Sequence, residues 1–246
     1  MNQVAQIKKI ALIIFGIDFV AITIGIAKAI ILDRSPMRYF GEGGHVTWVS
    51  TLQLLLAGVL CIQIAQIRNQ SYSERKINQT PLFWWIAGLG MFFLALDETL
   101  EIHENLDKSI HRWLGIQSTS LSGRLDDFIV LFYAGLGLFT IYTFRRELLR
   151  YKSSFSWFSL GVGLSLLTIA FDMIGHNRAT FEPLADSLEE LNRIHHWVGT
   201  IEEIPKIFAG GAFLVSLFVC KLMARNFRDR ERQQRLALDA EKANVR

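Results

Sequence analysis

The sequence lacks the features that would divide the chain or commit it to a charged partner. It has no Pro-, Gly- or Ser-rich linker and no internal repeat, so we expect one domain from its 246 residues. The formal net charge of +3 is too small to indicate a nucleic-acid partner. Cysteine is scarce, and Cys61 and Cys220 both lie inside apolar blocks, where burial is sufficient to explain them.

Long apolar blocks are what the sequence has in abundance. Hydrophobic residues make up 51% of the chain and fall in blocks, which is typical of a polytopic membrane protein. We expect a transmembrane domain over 1–224 and a charged tail over 225–246. The first block is too long for the apolar region of a signal peptide, so we expect it to stay in the protein. The blocks predict an all-α bundle of six transmembrane helices, at 9–32, 46–67, 82–100, 127–144, 157–174 and 198–220.

The distribution of charge along the chain predicts its orientation. With the N-terminus in the cytoplasm, most of the 26 Lys and Arg residues fall in inside segments, as the positive-inside rule requires. We therefore expect both termini in the cytoplasm and the protein in the bacterial inner membrane. The outer side is acidic and carries all 6 histidines, a segregation that topology does not require.

The third predicted span ends in a run of carboxylates. The apolar run before them, 82–96, would extend only roughly 22 Å, whereas a hydrocarbon core is about 30 Å thick. Asp97 and Glu101 are therefore expected inside the membrane or at its edge, where a carboxylate must be protonated, paired or bound to a cation. In a continuous helix Asp97, Glu101 and Glu104 lie along one line. Glu98 is rotated away from that line.

Two further spans bring acids and histidines to the same depth. Asp172 and His176 are one turn apart in the fifth span, where they could bind one ion together or form a hydrogen bond that joins two helices. In the sixth span the apolar run is again short, so Glu203, which shares a face with His196, is expected near the membrane edge. Just before it, 185–197 is expected to form an amphipathic helix on the outer surface.

These residues together predict a metal site in the outer half of the bundle. Carboxylate and imidazole suit Zn, Fe or Cu better than Ca or Mg, and helix-borne Glu and His build di-iron sites in bundles. A bound Zn would activate water for hydrolysis with Glu101 or Glu104 as general base, and a bound Fe or Cu would support oxidation. We expect a lipid or small apolar substrate that reaches the site from the bilayer. The predicted ligands are Asp97, Glu101, Glu104, Asp172, His176, His196 and Glu203.

Two other functions are compatible with the same residues. In a proton or divalent-cation transporter or channel, the acids would be stations along a path, and Asp18 near the middle of the first span would extend that path inward. In a structural or accessory subunit, the acids would form interhelical and local ion pairs, such as Glu202 with Lys206 at i+4. A homo-oligomer or a complex with a partner membrane subunit is compatible with each of these functions.

Parts of the sequence resemble known membrane families. Leu96-Asp97-Glu98 followed by His103-Glu104 at the end of a span resembles a motif of multi-pass bacterial membrane proteins, a resemblance that implies no function. Asp172 and His176 are similar to the Asp-x3-His of the copper-binding C subunit of membrane ammonia and methane monooxygenases, a six-helix chain of similar size. A third similarity is to the alkaline ceramidase and adiponectin-receptor superfamily, whose members hold zinc between helices with His and Asp. Its early Ser/His pattern and its paired histidines are absent here, so none of its site residues is carried over.

Overall fold

The computed structural model describes residues 3–41, 43–70, 79–115, 125–175 and 178–244. Within these ranges every regular element is a helix, and there is no strand. Two short 3₁₀ helices, Leu149–Ser154 and Arg178–Leu184, precede the last two α-helices. The described residues form nine α-helices: α1 (Gln3–Ile31), α2 (Met37–Phe40), α3 (His45–Gln70), α4 (Gln79–Leu100), α5 (Ile102–Leu114), α6 (Leu125–Thr143), α7 (Arg145–Leu148), α8 (Phe155–Gly175) and α9 (Leu188–Asn244).

The all-α class predicted from the sequence is confirmed, and several helices are long and apolar enough for a membrane. They correspond to five of the six predicted spans. The fourth predicted span corresponds to α6, whose described apolar stretch, Phe128–Thr143, is shorter. The number of spans and the side on which each terminus lies stay predictions. Among the described residues, the stretches with the length and composition of a span are Gln3–Ile31, Met37–Gln70, Pro81–Leu100, Arg145–Gly175 and Leu188–Ala243.

The outer surfaces of several helices are apolar, as expected where lipid replaces water as the solvent. Leu12 in α1, Phe139 in α6 and Leu166 in α8 are each more than half exposed. In water, so many large apolar side chains would form patches that are prone to association. In a bilayer the same side chains would contact acyl chains, while each helix satisfies its own backbone polar groups.

The last helix, α9, is one continuous helix of 57 residues and roughly 85 Å. The sequence predicts three segments here: a surface helix at 185–197, a span at 198–220 and a tail from 225. In the structure, one helix from Leu188 to Asn244 includes parts of all three segments, and the division between the transmembrane domain and the tail stays a prediction. Pro205 removes only one backbone donor, and the segment after the apolar run is rich in helix-favouring Arg, Gln, Leu and Ala.

The chain divides into two compact units, each with its own core. The first unit comprises Met1–Leu56, Leu94–Ile102 and Phe155–Ser216. Phe40 is fully buried in its core, and it fits because Gly25 has no side chain: a Cβ there would lie 2.6 Å from the Phe40 ring. The core of the first unit consists of Ala21, Ile22, Phe40, Val46 and Ile207.

The second unit comprises Ala57–Phe93, His103–Ser154 and Leu217–Arg246. Its core contains both cysteines, which are buried and free, together with large aromatic side chains. Trp84 and Tyr151 meet edge to face with their ring centroids 5.2 Å apart, a favoured aromatic geometry.

Packing around two glycines of α8 gives a first testable prediction. A Cβ on Gly161 would lie 2.8 Å from the Phe213 ring, whereas a Cβ on Gly163 would meet nothing within 4 Å. Overpacking costs about 1–3 kcal/mol, while alanine gains up to about 1 kcal/mol over glycine inside a helix. We expect Gly161→Ala to lower the thermal unfolding midpoint of the detergent-purified protein and Gly163→Ala to leave it unchanged or raise it. Equal midpoints for the two variants would contradict this packing.

Candidate functional site

A break in the helix separates the carboxylates that the sequence predicts on one line. α4 ends at Leu100, α5 begins at Ile102, and Glu101 between them has a left-handed backbone with a φ of 49°. The prediction of one continuous helix through Asp97, Glu101 and Glu104 is therefore wrong. A left-handed backbone costs a non-glycine residue about 1–2 kcal/mol. No glycine or proline marks the position, so the sequence carries none of the usual signals for a helix end.

Glu104 has a local partner in α5. Its carboxylate lies 3.0 Å from Lys108 Nζ, one turn further along the helix. A second local pair follows, in which Asp107 Oδ1 lies 2.8 Å from His111 Nδ1. Pairs of this kind on a helix surface contribute only about 0.2–0.5 kcal/mol. They account for these acids without a bound ion.

In the first unit, ionic contacts converge on Lys206 in α9. Lys206 Nζ lies 2.9 Å from Glu98 Oε1 in α4 and 3.2 Å from Glu203 Oε2 in α9. The side chains of Glu98 and Glu203 are only 11% and 14% exposed, and that of Lys206 is 34% exposed. One ammonium group therefore joins α4 to α9 through two nearly buried carboxylates. The direct contact is made to Glu203, rather than to the Glu202 that the i+4 spacing predicts.

Two more acids interact with this ion-pair group. Glu202 interacts electrostatically with Asp172, Glu203 and Lys206. Asp172 interacts with Glu203 as well. The end of α8 is close to Glu202, because a Cβ on Gly175 would lie 3.4 Å from Glu202 Oε2. We name as the Lys206 cluster this set of four carboxyl groups and one ammonium group: Glu98, Asp172, Glu202, Glu203 and Lys206.

A second polar site lies near the middle of α1. Gln53 Nε2 in α3 donates a hydrogen bond of 2.5 Å to Asp18 Oδ1, and both side chains are buried. Within the part of the chain that the structure describes, Asp18 Oδ2 and Gln53 Oε1 have no hydrogen-bond partner. We refer to these two residues as the Asp18 pair. A fixed charge at this position would be costly in a membrane.

Two adjacent glycines of α9 make room for the Asp18 pair. A Cβ on Gly211 would lie 2.7 Å from Asp18 Oδ2, and a Cβ on Gly210 would collide with Gln53 Oε1. Gly210 follows Lys206 by one helical turn, which is about 6 Å along the axis. Successive turns of α9 therefore carry the Lys206 cluster and the surface that contacts the Asp18 pair.

The described histidines have contacts of their own. His196 Nδ1 lies 3.1 Å from Ser35 Oγ, and His45 Nε2 lies 3.0 Å from the carbonyl oxygen of Ala21. His176 lies outside the described residues. Among the residues that the structure does describe, no group of three or more His, Cys, Asp or Glu side chains is arranged to hold a metal ion. The site for Zn, Fe or Cu stays a prediction.

Sequence reasoning missed Glu98 and did not single out Lys206 or Gln53 as site residues. Glu98 is rejected when Asp97 is taken to start a line along one unbroken helix, an assumption that fails at Glu101. A usable signal for Lys206 is the short apolar run after it, which predicts that its ammonium lies near the membrane edge and close to acids.

The fold and the two polar sites define a protein with membrane-type helices and ionisable groups inside its bundle. The chain belongs to the family described as Domain of unknown function (DUF8692), whose model matches residues 10–230. The matched region includes both the Asp18 pair and the Lys206 cluster. No curated protein and no solved structure matches the chain.

The Lys206 cluster gives a second testable prediction. Lys206→Gln leaves Glu98 and Glu203 without their cation, and removing one partner of a charged hydrogen bond costs about 1–3 kcal/mol. We expect this variant to lower the thermal unfolding midpoint in detergent, and Glu98→Gln to restore part of the stability when added to it. Lys108→Gln is the matched control, because its exposed pair with Glu104 is worth at most about 0.5 kcal/mol. The same midpoint for Lys206→Gln and Lys108→Gln would refute the role of Lys206.

Proposed function

We propose that the protein moves protons or small cations across a membrane along a path through the first unit. The path includes the Asp18 pair and the Lys206 cluster. The observation that carries the proposal is the buried Asp18 carboxyl group, which has one hydrogen bond from Gln53 and one oxygen without a partner among the described residues. An ionisable group in the middle of a span is a functional candidate by default, because its burial is costly.

The partners of Asp18 fit a group that changes its charge. An aspartate in a permanent ion pair would face a basic side chain, but Asp18 faces the amide of Gln53, which is neutral. An amide can donate to a carboxylate through its NH₂ group and accept from a protonated carboxyl group through its oxygen. Gln53 can therefore remain a partner of Asp18 in both protonation states.

The composition of the Lys206 cluster supports the same proposal. Among the described residues, Lys206 contacts Glu98 and Glu203 and interacts with Glu202, and Asp172 interacts with Glu202 and Glu203, so the cluster has four carboxyl groups and one ammonium group. If all were ionised, the cluster would have a net charge near −3, which is unfavourable in a poorly hydrated region. Protons or cations would lower that charge, and the surplus acids would attract them from solution.

Two hydroxyl side chains lie close to these two sites along α3 and α4. Thr51 is two residues before Gln53, Thr99 directly follows Glu98, and the two hydroxyl oxygens are 3.4 Å apart. Hydroxyl groups both donate and accept hydrogen bonds, so they can pass a proton or solvate a cation. They offer a polar connection between the α3 and α4 segments of the path.

A purely structural network explains these contacts less well. Buried polar networks that only stabilise a fold are usually complete, because each unsatisfied group costs free energy. The Asp18 pair has an oxygen without a partner on each of its two side chains, within the described residues. The predicted metalloenzyme has no three-residue ligand group among those residues. Elemental analysis of the purified protein tests it separately.

We also propose an orientation for the path. Both termini lie on the cytoplasmic side of a bacterial inner membrane, following the positive-inside rule. The Lys206 cluster, near the end of α4, then lies toward the outer side, and Asp18 lies deeper in the bilayer.

The transport proposal predicts that Asp18→Asn abolishes flux. The purified protein is reconstituted into liposomes that contain a pH-sensitive dye or a dye sensitive to divalent cations, and a membrane potential drives uptake. We expect uptake by the wild-type protein and a rate near that of protein-free liposomes for Asp18→Asn, because asparagine keeps the size of the side chain but cannot exchange a proton. Gln53 can still donate to the asparagine oxygen, so the fold should be retained.

Asp33→Asn is the matched control for this experiment. It makes the same chemical change at an exposed position with a φ of 46°, a backbone conformation that asparagine tolerates. Flux should remain at the wild-type level. The proposal fails if the wild-type protein transports neither protons nor divalent cations, or if Asp18→Asn transports as fast as Asp33→Asn.

A further inference from the structure

A cleft of about 440 Å³ lies in the second unit and shares no residue with the proposed path. Three arginines, one from the end of α3, one from the 3₁₀ helix after α7 and one from α9, lie around it together with an aromatic ring. Such a volume is within the range of small-ligand sites in proteins. The lining residues are Arg68, Arg150, Phe227, Arg230, Glu231 and Gln234.

A buried carboxylate holds two of the arginines in place. Glu147 Oε1 lies 3.4 Å from Arg68 Nε, and Glu147 Oε2 lies 3.6 Å from Arg150 Nε. Trp84 Nε1 and Tyr151 Oη also donate to Glu147 Oε1, at 3.3 Å and 3.1 Å. The Arg68 and Glu147 side chains are 1% and 5% exposed, so this anchor is part of the core. It orients guanidinium groups before any ligand arrives.

The topology of a membrane protein accounts for basic residues at the ends of spans, but it does not account for this arrangement. Positive charges that set orientation need only remain in water. Arg68 is instead buried and packed 6.0 Å from the centre of the Phe227 ring. The cleft lining carries three guanidinium groups and only one carboxylate, that of Glu231, which lies 4.0 Å from Arg68 Nη1. Even when Glu147, which pairs with Arg68 and Arg150, is counted with Glu231, the three guanidinium groups outnumber the carboxylates around the cleft.

We propose that this cleft binds a phosphate-bearing anion. Guanidinium groups bind phosphate oxygens through paired, charge-assisted hydrogen bonds, which makes arginine the favoured residue for such groups. Gln234 adds a neutral donor, and Phe227 provides an apolar wall beside the arginines. The phosphate belongs either to the head group of an anionic phospholipid or to a soluble phosphate compound, and both present the same chemistry to the cleft.

Two arms of one experiment distinguish these sources, using the full chain. In the first arm, binding of inorganic phosphate is titrated by calorimetry in a nonionic detergent. In the second, the protein is reconstituted with phosphatidylcholine alone or mixed with phosphatidylglycerol, and the lipid retained after re-extraction is identified by mass spectrometry. The cleft variant is Arg150→Gln with Arg230→Gln, which spares the buried Arg68. The control is Arg225→Gln with Arg232→Gln, which removes the same charge from positions of α9 outside the cleft lining.

We expect the cleft variant to weaken binding by about tenfold or more for each charge-assisted hydrogen bond that it removes, and the control to bind as the wild type does. Selective retention of phosphatidylglycerol by the wild type but not by the cleft variant would identify a lipid head group. Binding of inorganic phosphate without selective lipid retention would identify a soluble ligand. Binding in both arms would support recognition of the phosphate group itself. The proposal is overturned if neither probe binds, or if the cleft and control substitutions weaken binding equally.

Discussion

A charged side chain that leaves water needs a partner, and in this chain the partners come from other helices. Lys206 in α9 reaches Glu98 in α4, and Arg68 at the end of α3 reaches Glu147 in α7. These contacts exist because apolar helices cannot solvate a charge, so each ionisable group either finds an opposite charge or is held neutral. This requirement therefore helps to determine which helix faces pack together. Apolar contacts alone specify those faces weakly, because lipid chains are as apolar as the side chains.

The two units meet this requirement in different ways. In the second unit, the carboxylate of Glu147 accepts hydrogen bonds from Trp84 and Tyr151 and forms ion pairs with Arg68 and Arg150. In the first unit the proportion is reversed, because one ammonium group serves several carboxyl groups. A carboxylate that several donors and cations contact is held in one position, whereas a group with more carboxyls than cations can accept protons or cations. The contrast fits a structural role for the Glu147 network and is in keeping with the transport path proposed for the first unit.

Much of the fold follows from the sequence, because long apolar blocks admit few structures in a membrane. The shortness of two of those blocks also predicts that acids of α4 and α9 lie close to the apolar region. A left-handed residue at Glu101 ends α4 without glycine or proline, so the sequence does not show that the line from Asp97 to Glu104 is interrupted. The preference for Asp97 over Glu98 rests on that uninterrupted line, whereas the acid that contacts Lys206 depends on how α4 packs against α9. The pairing of Asp18 with Gln53 depends on how α1 and α3 pack, which no local pattern encodes.

The adjacent glycines at 210 and 211 of α9 leave space that is filled by side chains of α1 and α3. The space that a methyl group would occupy at either position is taken by Gln53 or by Asp18. Within the family, a larger residue at 210 should therefore occur together with a smaller one at 53, whereas position 18 has no such freedom if its carboxyl group is required. Correlated substitutions at positions 210 and 53, together with an invariant acid at position 18, would be the evolutionary evidence for this contact.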